Sequence, residues 1–327
     1  MGILDWFFKP FTEVFEKEEK DRSRIIPPAS SIYRPRTFEE YIGQENGKRL
    51  LTQYIKAVQD RDMVFPHTLI HGKAGMGKTT LARIIANNLG VDLKEMITSD
   101  VTDINTIVNA VNGMYEGIIF LDEIHSISRD NAEKLYTVME DFIYNNEKIL
   151  PFTLMGATTE LGEILKSRRP FYDRFKIIIE LENYTKEDLM KIGRQYKDHT
   201  FKEDNLDTWL YELMAVNCRG TPRFLLRLLD ATIYFDGDIY EVLKSFGIIK
   251  NGYTEKDLKV LKYITTAKTV GLQGIASFLD TSTENYLYEM EPYLLQNGVI
   301  TRTARGRRIT EYGQTMIEEL EKFKNEV

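Results

Sequence analysis

Two periodicities of apolar residues divide the chain. From about Tyr33 to Leu181, short apolar runs such as Thr68-Leu-Ile and Gly117-Ile-Ile-Phe-Leu alternate with stretches of helical spacing. Runs of this length predict strands buried on both faces, and their alternation with helices predicts an α/β domain built on a parallel sheet. From about Glu182 to Lys250 the pattern is helical, without strand signals. After Asn251-Gly252 comes a smaller helical unit ending in Gly298–Thr310, which predicts two short strands around a basic Arg-Gly-Arg turn and a closing helix from Glu311. Ahead of all this, residues 1–30 form an aromatic and charged leader that ends at Pro27-Pro28. The expected division is therefore 1–30, 31–181, 182–252 and 253–327, with no internal repeat.

The apolar run at Thr68 leads directly into Gly72-Lys-Ala-Gly-Met-Gly-Lys-Thr-Thr80, and Leu81-Ala-Arg-Ile-Ile-Ala reads as the helix that follows. Strand, G-x-x-x-x-G-K-T loop and helix together predict a phosphate cradle. Gly72, Gly75 and Gly77 let consecutive backbone N–H groups face one anion, and the helix N-terminus adds partial positive charge. Lys78 is placed to reach the terminal phosphates and Thr79 to hold Mg²⁺, with Thr80 beside them. Downstream, the run from Gly117 ends in Asp122-Glu123. An acid at the C-terminal end of a parallel strand is positioned to hold Mg²⁺ beside the phosphates, which assigns Asp122 to the metal and Glu123 to the attacking water. The bland alternative is a strand ending in a solvated acidic turn, and the loop upstream weighs against it.

Composition narrows the setting. A chain of 327 residues is long for one domain, and its 43% apolar content is enough for separate cores. Cys218 is the only cysteine, which excludes an intrachain disulfide and predicts a reducing, cytoplasmic compartment. No apolar run approaches the roughly 20 residues needed to span a bilayer. A net charge of −7 argues against a uniformly basic coat, so any contact with DNA is expected to be local. The local candidate is the turn near the C-terminus, where Arg302, Arg305, Arg307 and Arg308 surround Gly306 with Glu311 nearby.

The order of motifs resembles the bacterial RuvB family. It runs through Arg34–Gln44, the phosphate loop, Leu121-Asp-Glu-Ile-His125, Met139-Glu-Asp-Phe142, Pro151–Thr159, Asp173-Arg-Phe175, Gly220-Thr-Pro-Arg223 and Glu291-Pro-Tyr-Leu-Leu295. The resemblance extends over about residues 31–313. It implies an AAA+ P-loop domain with a parallel sheet, a small helical lid and a C-terminal winged helix. It further implies an ATP- and Mg²⁺-dependent motor that drives branch migration of Holliday junctions in DNA recombination and repair. Such a motor works as a hexameric ring on DNA of any sequence. By position, Arg34, Tyr41 and Ile42 match the segment around adenine, Tyr184 a nucleotide-contacting tyrosine, and Arg223 the second sensor on the lid. Thr158 and Thr159 match the polar sensor on the γ-phosphate side. Arg174 matches the arginine finger, which acts on the neighbouring subunit's nucleotide. Arg302 and Arg307 match the DNA contacts, with Arg305 as a helper.

Several positions depart from the family. The long β-hairpin that docks the junction-recognising partner RuvA is reduced to Ile143–Leu150, which argues against standard RuvA coupling. Tyr172 stands where the family has a nucleotide-contacting arginine, Lys73-Ala74 replace the two prolines of the phosphate loop and bring charge near the phosphates, and Ala304 replaces the wing proline. The leader lacks the features of a secretory signal or a myristoylation site, and its aromatic clusters are expected to meet a protein partner, the alternatives being packing onto the chain's own lid or a neighbouring subunit, or binding at a membrane surface. A second class therefore stays open beside the DNA motor: an AAA+ loader or remodelling ATPase acting on other partners. His67, His71, His125 and Cys218 are expected to be structural, and the aromatics from Tyr286 to Tyr293 to be core.

Overall fold

A computed structural model describes residues 33–114, 116–202 and 205–326. The leader and the partner expected for it lie outside the described residues. The first seven strands in chain order are β1 (Thr68–His71), β2 (Asp92–Ile97), β3 (Gly117–Asp122), β4 (Ile143–Tyr144), β5 (Glu147–Lys148), β6 (Thr153–Thr158) and β7 (Ile177–Glu180). Five of them make one all-parallel sheet in the order β2-β3-β6-β1-β7. Side chains of successive strand residues point to opposite faces, and the sequence exploits this. Ile70, Ile118 and Phe120 enter one apolar cluster, whereas Leu69, Ile119 and Leu121 enter the other. Central β6 is buried throughout, while edge strand β2 carries an exposed Asp92, Lys94 and Glu95. Among the described residues no helix is long and apolar enough to cross a membrane.

The chain leaves β1 for the far edge and returns through β3 and β6, so β1 sits where the winding reverses. In such sheets the crevice outside the C-terminal strand ends is where ligands bind. Here β1 ends at His71, level with Thr158 of β6, and β3 ends at Asp122.

Four helices, Lys186–Thr200, Thr208–Asn217, Pro222–Tyr234 and Ile239–Ser245, form the next unit. Thr185 and Asp188 close a reciprocal capping box at its first helix, which fixes where the chain turns away from β7. Tyr196, Met214, Leu228 and Leu229 of this unit belong to the same apolar cluster as Ile70 and Phe120, so the lid and one face of the sheet share a core.

The expectation that residues 182–250 carry no strand is corrected. Strand β8 (Ile248–Lys250) pairs antiparallel with β9 (Tyr253–Thr254), and Asn251-Gly252, with φ of 50° and 79°, is the turn between them. Asn-Gly is the dipeptide that tight hairpins select, because both turn residues need positive φ. The C-terminal unit has its own core around Leu261, Ile264, Tyr286 and Leu294. Its helices Glu255–Ala267 and Leu272–Leu279 precede β10 (Ile300–Thr303) and β11 (Gly306–Ile309), an antiparallel pair, and helix Glu311–Glu326 follows. The two strands and the closing helix agree with expectation; the aromatic run agrees in part. Tyr286 is fully buried, but Tyr288 is 49% exposed and donates to Glu160 of the sheet domain at 3.1 Å.

Beneath the wing, Glu291 is wholly buried and takes Arg302 Nη2 at 2.7 Å and Arg307 Nη2 at 3.0 Å on one carboxylate oxygen. Burial alone would raise the Glu291 pKa, but the guanidinium groups of Arg307 and Arg302 hold it below its ordinary value. A depressed folded pKa gives stability that is complete above the ordinary value of 4.5 and is lost as pH falls through the folded value. Glu291→Gln is therefore expected to destabilise the C-terminal unit by about 3–5 kcal/mol at neutral pH, because two cations lose their buried counter-charge. It should also flatten the loss of thermal stability expected of the wild type as pH falls below 4.5. Melting temperature against pH for both proteins checks this.

Candidate active site

The turn after β1 becomes a phosphate cradle because its backbone enters regions that favour glycine. Gly75 has φ 77° and Gly77 φ 99°, and neither position has room for a side chain. A Cβ on Gly75 would sit 2.8 Å from Arg223 Cβ, and one on Gly77 would sit 2.8 Å from Tyr41 Oη. Helix Lys78–Leu89 starts at Gly77 without a side-chain cap, so its first N–H groups face the cleft unsatisfied by the helix. Lys78 Nζ donates to the loop carbonyls of Gly72 (2.9 Å) and Lys73 (3.1 Å). Burial lowers the Lys78 pKa, and the negative charges of Glu123 and Asp122 act against that shift.

A cleft of about 680 Å³ opens over this cradle. Arg34, Tyr41, Ile42, Gly75, Gly77, Lys78, Thr79, Thr80, Asp122, Glu123, Tyr184 and Arg223 all line it, so residues separated by up to 189 positions in sequence converge. Two of them sit deep. Tyr184 Oη donates to the Met76 carbonyl at 3.0 Å and Tyr41 Oη to the Gly77 carbonyl at 3.3 Å. Both rings are nearly buried, and burial pushes both hydroxyls above the ordinary tyrosine pKa. They brace the loop from behind. Arg34 lies nearer the mouth, where burial and the neighbouring Arg83 lower its pKa.

At the other wall, Asp122 Oδ1 accepts the Glu123 N–H at 3.0 Å, and Thr98 Oγ1 donates to the Asp122 carbonyl at 2.6 Å. Glu123 itself has φ 52°, an unfavourable backbone for a residue with a side chain, which turns its carboxylate from the strand axis toward the cleft. Thr159 does not line the cleft. Its Oγ1 donates to Glu123 Oε2 at 3.2 Å. Thr158 is fully buried and its hydroxyl lies 3.0 Å from His125 Nδ1.

Arg174 is separate from this cleft. Its Nη2 pairs with Glu140 at 2.8 Å, and its guanidinium carbon lies 5.5 Å from the Tyr136 ring centroid, with about a third of the side chain exposed. Tyr172 is packed under Arg169 rather than directed at the cleft. Strands β4 and β5 confirm a minimal hairpin, turned at Asn145-Asn146. The charge expected near the phosphates from Lys73 is directed elsewhere: its Nζ donates to Asn183 Oδ1 at 3.0 Å and to Gln296 of the C-terminal unit.

The arginines of the wing are divided by the structure. Arg307 is held on Glu291 with only 14% of its side chain exposed, and Arg302, although half-exposed, is held there too. Arg307, which the resemblance matches to a DNA contact, has its guanidinium drawn inward by the buried carboxylate. Arg305 and Arg308 are exposed. The sequence singled out Arg308 only as part of the cluster, although its register opposite Thr301, next to Arg302 and Arg307, sets it on the other face of the ribbon.

A phosphate loop, two acids at the end of a neighbouring parallel strand and an arginine from a helical lid define a P-loop nucleoside triphosphatase of the AAA+ class. Sequence models for "Holliday junction DNA helicase RuvB P-loop domain" and "RuvB C-terminal winged helix domain" match residues 33–181 and 250–318. The RuvB of Mycoplasmopsis pulmonis is 34% identical over 316 residues, covering 88% of this chain and 98% of that protein. The RuvB of Leuconostoc mesenteroides is 36% identical over 324 residues, covering 91% and 89%. Both carry the name Holliday junction branch migration complex subunit. The Thermotoga maritima RuvB Holliday junction branch migration motor superposes with a TM-score of 0.78 at 32% identity, covering 87% of this chain and 98% of that one. The chain belongs to the RuvB family of AAA+ ATPases.

Proposed function

We propose that the protein is an ATP-driven motor that moves branched DNA, and that each cleft is completed by an arginine from the next protomer of a ring. The observation that carries this is the single cleft joining the phosphate loop, Asp122, Glu123 and the lid's Arg223 in a chain that also bears a winged helix. Lys78 exchanges its carbonyl partners for the terminal phosphate oxygens of ATP, and Arg223 ties lid position to the presence of those oxygens. Glu123, held by Thr159, orients and polarises the attacking water.

The cleft also suits Mg²⁺. Among the described residues no group of three or more His, Cys, Asp or Glu side chains could hold a metal by itself. Mg²⁺ bound to ATP needs no such cage, since it keeps several waters and takes one or two protein ligands beside the phosphates. Thr79 and Asp122, both lining the cleft, would supply them. When bound, the ion neutralises charge on the β- and γ-phosphates.

Arg174 supports a shared site because it stands outside the cleft of its own chain while remaining partly open to solvent. A ring, hexameric by family resemblance, places it against a neighbour. The minimal β4–β5 hairpin supports coupling to an adaptor other than RuvA, and it equally favours the second reading, a loader acting on protein partners. ATP turnover measured with and without four-way DNA separates the two: strong stimulation is expected for the motor, and none for the loader.

On the wing, Arg305 and Arg308 are the phosphate contacts best supported by exposure, with the half-exposed Arg302 on the opposite face of the ribbon from Arg308. Contacts to phosphate carry no sequence information, as a motor on arbitrary arms requires. Arg305→Ala with Arg308→Ala is expected to weaken DNA binding and to reduce its log–log salt slope by about one unit per lost contact. Arg307→Ala should instead lower the melting temperature of the C-terminal unit. Fluorescence anisotropy across a salt series, beside thermal unfolding, distinguishes these outcomes.

A further inference from the structure

The turn that follows Glu123, Ile124–Ser126, brings the His125 ring back beside the acid it follows. His125 Nδ1 lies 3.3 Å from Glu123 Oε2 and 3.0 Å from Thr158 Oγ1. On the other side of the ring, Nε2 lies 3.3 Å from Glu160 Oε1. Glu160 is fixed in turn: its backbone N–H donates to Thr158 Oγ1 at 2.9 Å, and its Oε2 accepts the hydroxyl of Tyr288 at 3.1 Å. Tyr288 belongs to the C-terminal unit, 128 residues further along the chain. An unbroken line of polar contacts thus runs from Glu123 through His125 and Glu160 to the winged-helix domain. The same domain reaches the phosphate loop at a second point, where Gln296 accepts from Lys73.

From this geometry we infer that His125 is a positioning residue for Glu123, and that Tyr288 carries the placement of the winged-helix domain to the hydrolytic site through Glu160. The inference rests on the ATPase reading and adds to it a route of control. With Nδ1–H as the donor, His125 faces the same Glu123 Oε2 that accepts the Thr159 hydroxyl, which leaves Oε1 for a water. A carboxylate pinned at one oxygen keeps the other aimed, and a displacement of about 1 Å in such a group can cost roughly 10²-fold in rate. With its side chain only 18% exposed and each ring nitrogen opposite an oxygen, His125 has little freedom to turn. A shift of the winged-helix domain that breaks the Tyr288–Glu160 contact releases one end of that support.

The test uses the full-length chain at concentrations that allow assembly, with kcat and KM for ATP and the affinity for a fluorescent ATP analogue measured separately. His125→Leu is expected to lower kcat by about 10²-fold with KM and analogue affinity within about threefold of wild type. His125→Asn, which keeps a polar group near the Nδ1 position, should regain at least tenfold of that loss. Tyr288→Phe, which removes only the hydroxyl, should lower kcat by about three- to tenfold at unchanged KM. Unchanged kcat in His125→Leu overturns the inference. So do equal losses in the Leu and Asn variants, or affinity falling in step with kcat in both, because a merely structural histidine would behave that way. Wild type and Glu123→Gln run alongside. If wild type turns over and Glu123→Gln does not, a negative result at His125 leaves the ATPase reading intact, whereas an inert wild type overturns both.

Discussion

Arg174→Ala is expected to lower ATP turnover of the assembled protein by about 10³–10⁵-fold while leaving nucleotide affinity close to wild type. The transition state for γ-phosphoryl transfer spreads charge over its oxygens, and one well-placed guanidinium stabilises it far more than it stabilises bound ATP. An interaction made only in the transition state lowers kcat without raising KM. Within its own chain, Arg174 pairs with Glu140 and lies against Tyr136, so its removal leaves the wall of its own cleft intact. Steady-state turnover beside equilibrium binding of an ATP analogue checks the split. Arg174→Lys should not rescue, because a point charge on a flexible stem lacks the planar fork.

The second large effect is expected at Glu123. Glu123→Gln keeps the shape of the side chain and retains an oxygen for Thr159 and His125, but it removes the basic carboxylate. Hydrolysis should fall by about 10²–10⁴-fold, the usual contribution of a positioned general base. Binding should hold or tighten slightly, since Asp122 and Lys78 are untouched and a negative charge near the phosphates is lost. Single-turnover quench experiments read the chemical step directly, and a fall in analogue affinity of the same size would place Glu123 in binding instead.

Much of this site was legible because its signals are short-range. The phosphate loop carries its glycines, lysine and threonine within nine residues, and the strands leading to it and to Asp122 are apolar on both faces. Buried central strands announce themselves in that way; edge strand β2, with Asp92, Lys94 and Glu95 facing solvent, does not. The hairpin at residues 248–254 was also written in the sequence. Asn251-Gly252 is a strong turn signal, and taking it for a domain boundary concealed the strands on either side.

What the sequence did not disclose depends on partners that folding brings from a distance. Glu291 lies 11 and 16 residues from the arginines it binds, and nothing local marks it as buried. The two arginines matched to DNA contacts, Arg302 and Arg307, therefore gave no sign in the sequence that both are held against a carboxylate. Tyr288 shares the helical spacing of its aromatic neighbours, yet faces outward because Glu160 waits on another domain. Lys73 seemed to add charge at the phosphates, and is drawn off by Asn183 and Gln296. His125 had no second metal ligand nearby, and only the returning turn after Glu123 shows what it touches.

The shared cleft is tested most directly by mixing two inactive proteins, Arg174→Ala and Glu123→Gln, and measuring ATP turnover of the co-assembled ring. One partner keeps Glu123 and the other keeps Arg174, so mixed interfaces pair an intact acid with an intact finger. Random assembly at equal amounts makes about a quarter of interfaces complete, and turnover should recover toward that fraction of wild type. A mixture as inert as either variant alone would contradict the account, because an arginine acting within its own chain cannot be supplied by a neighbour.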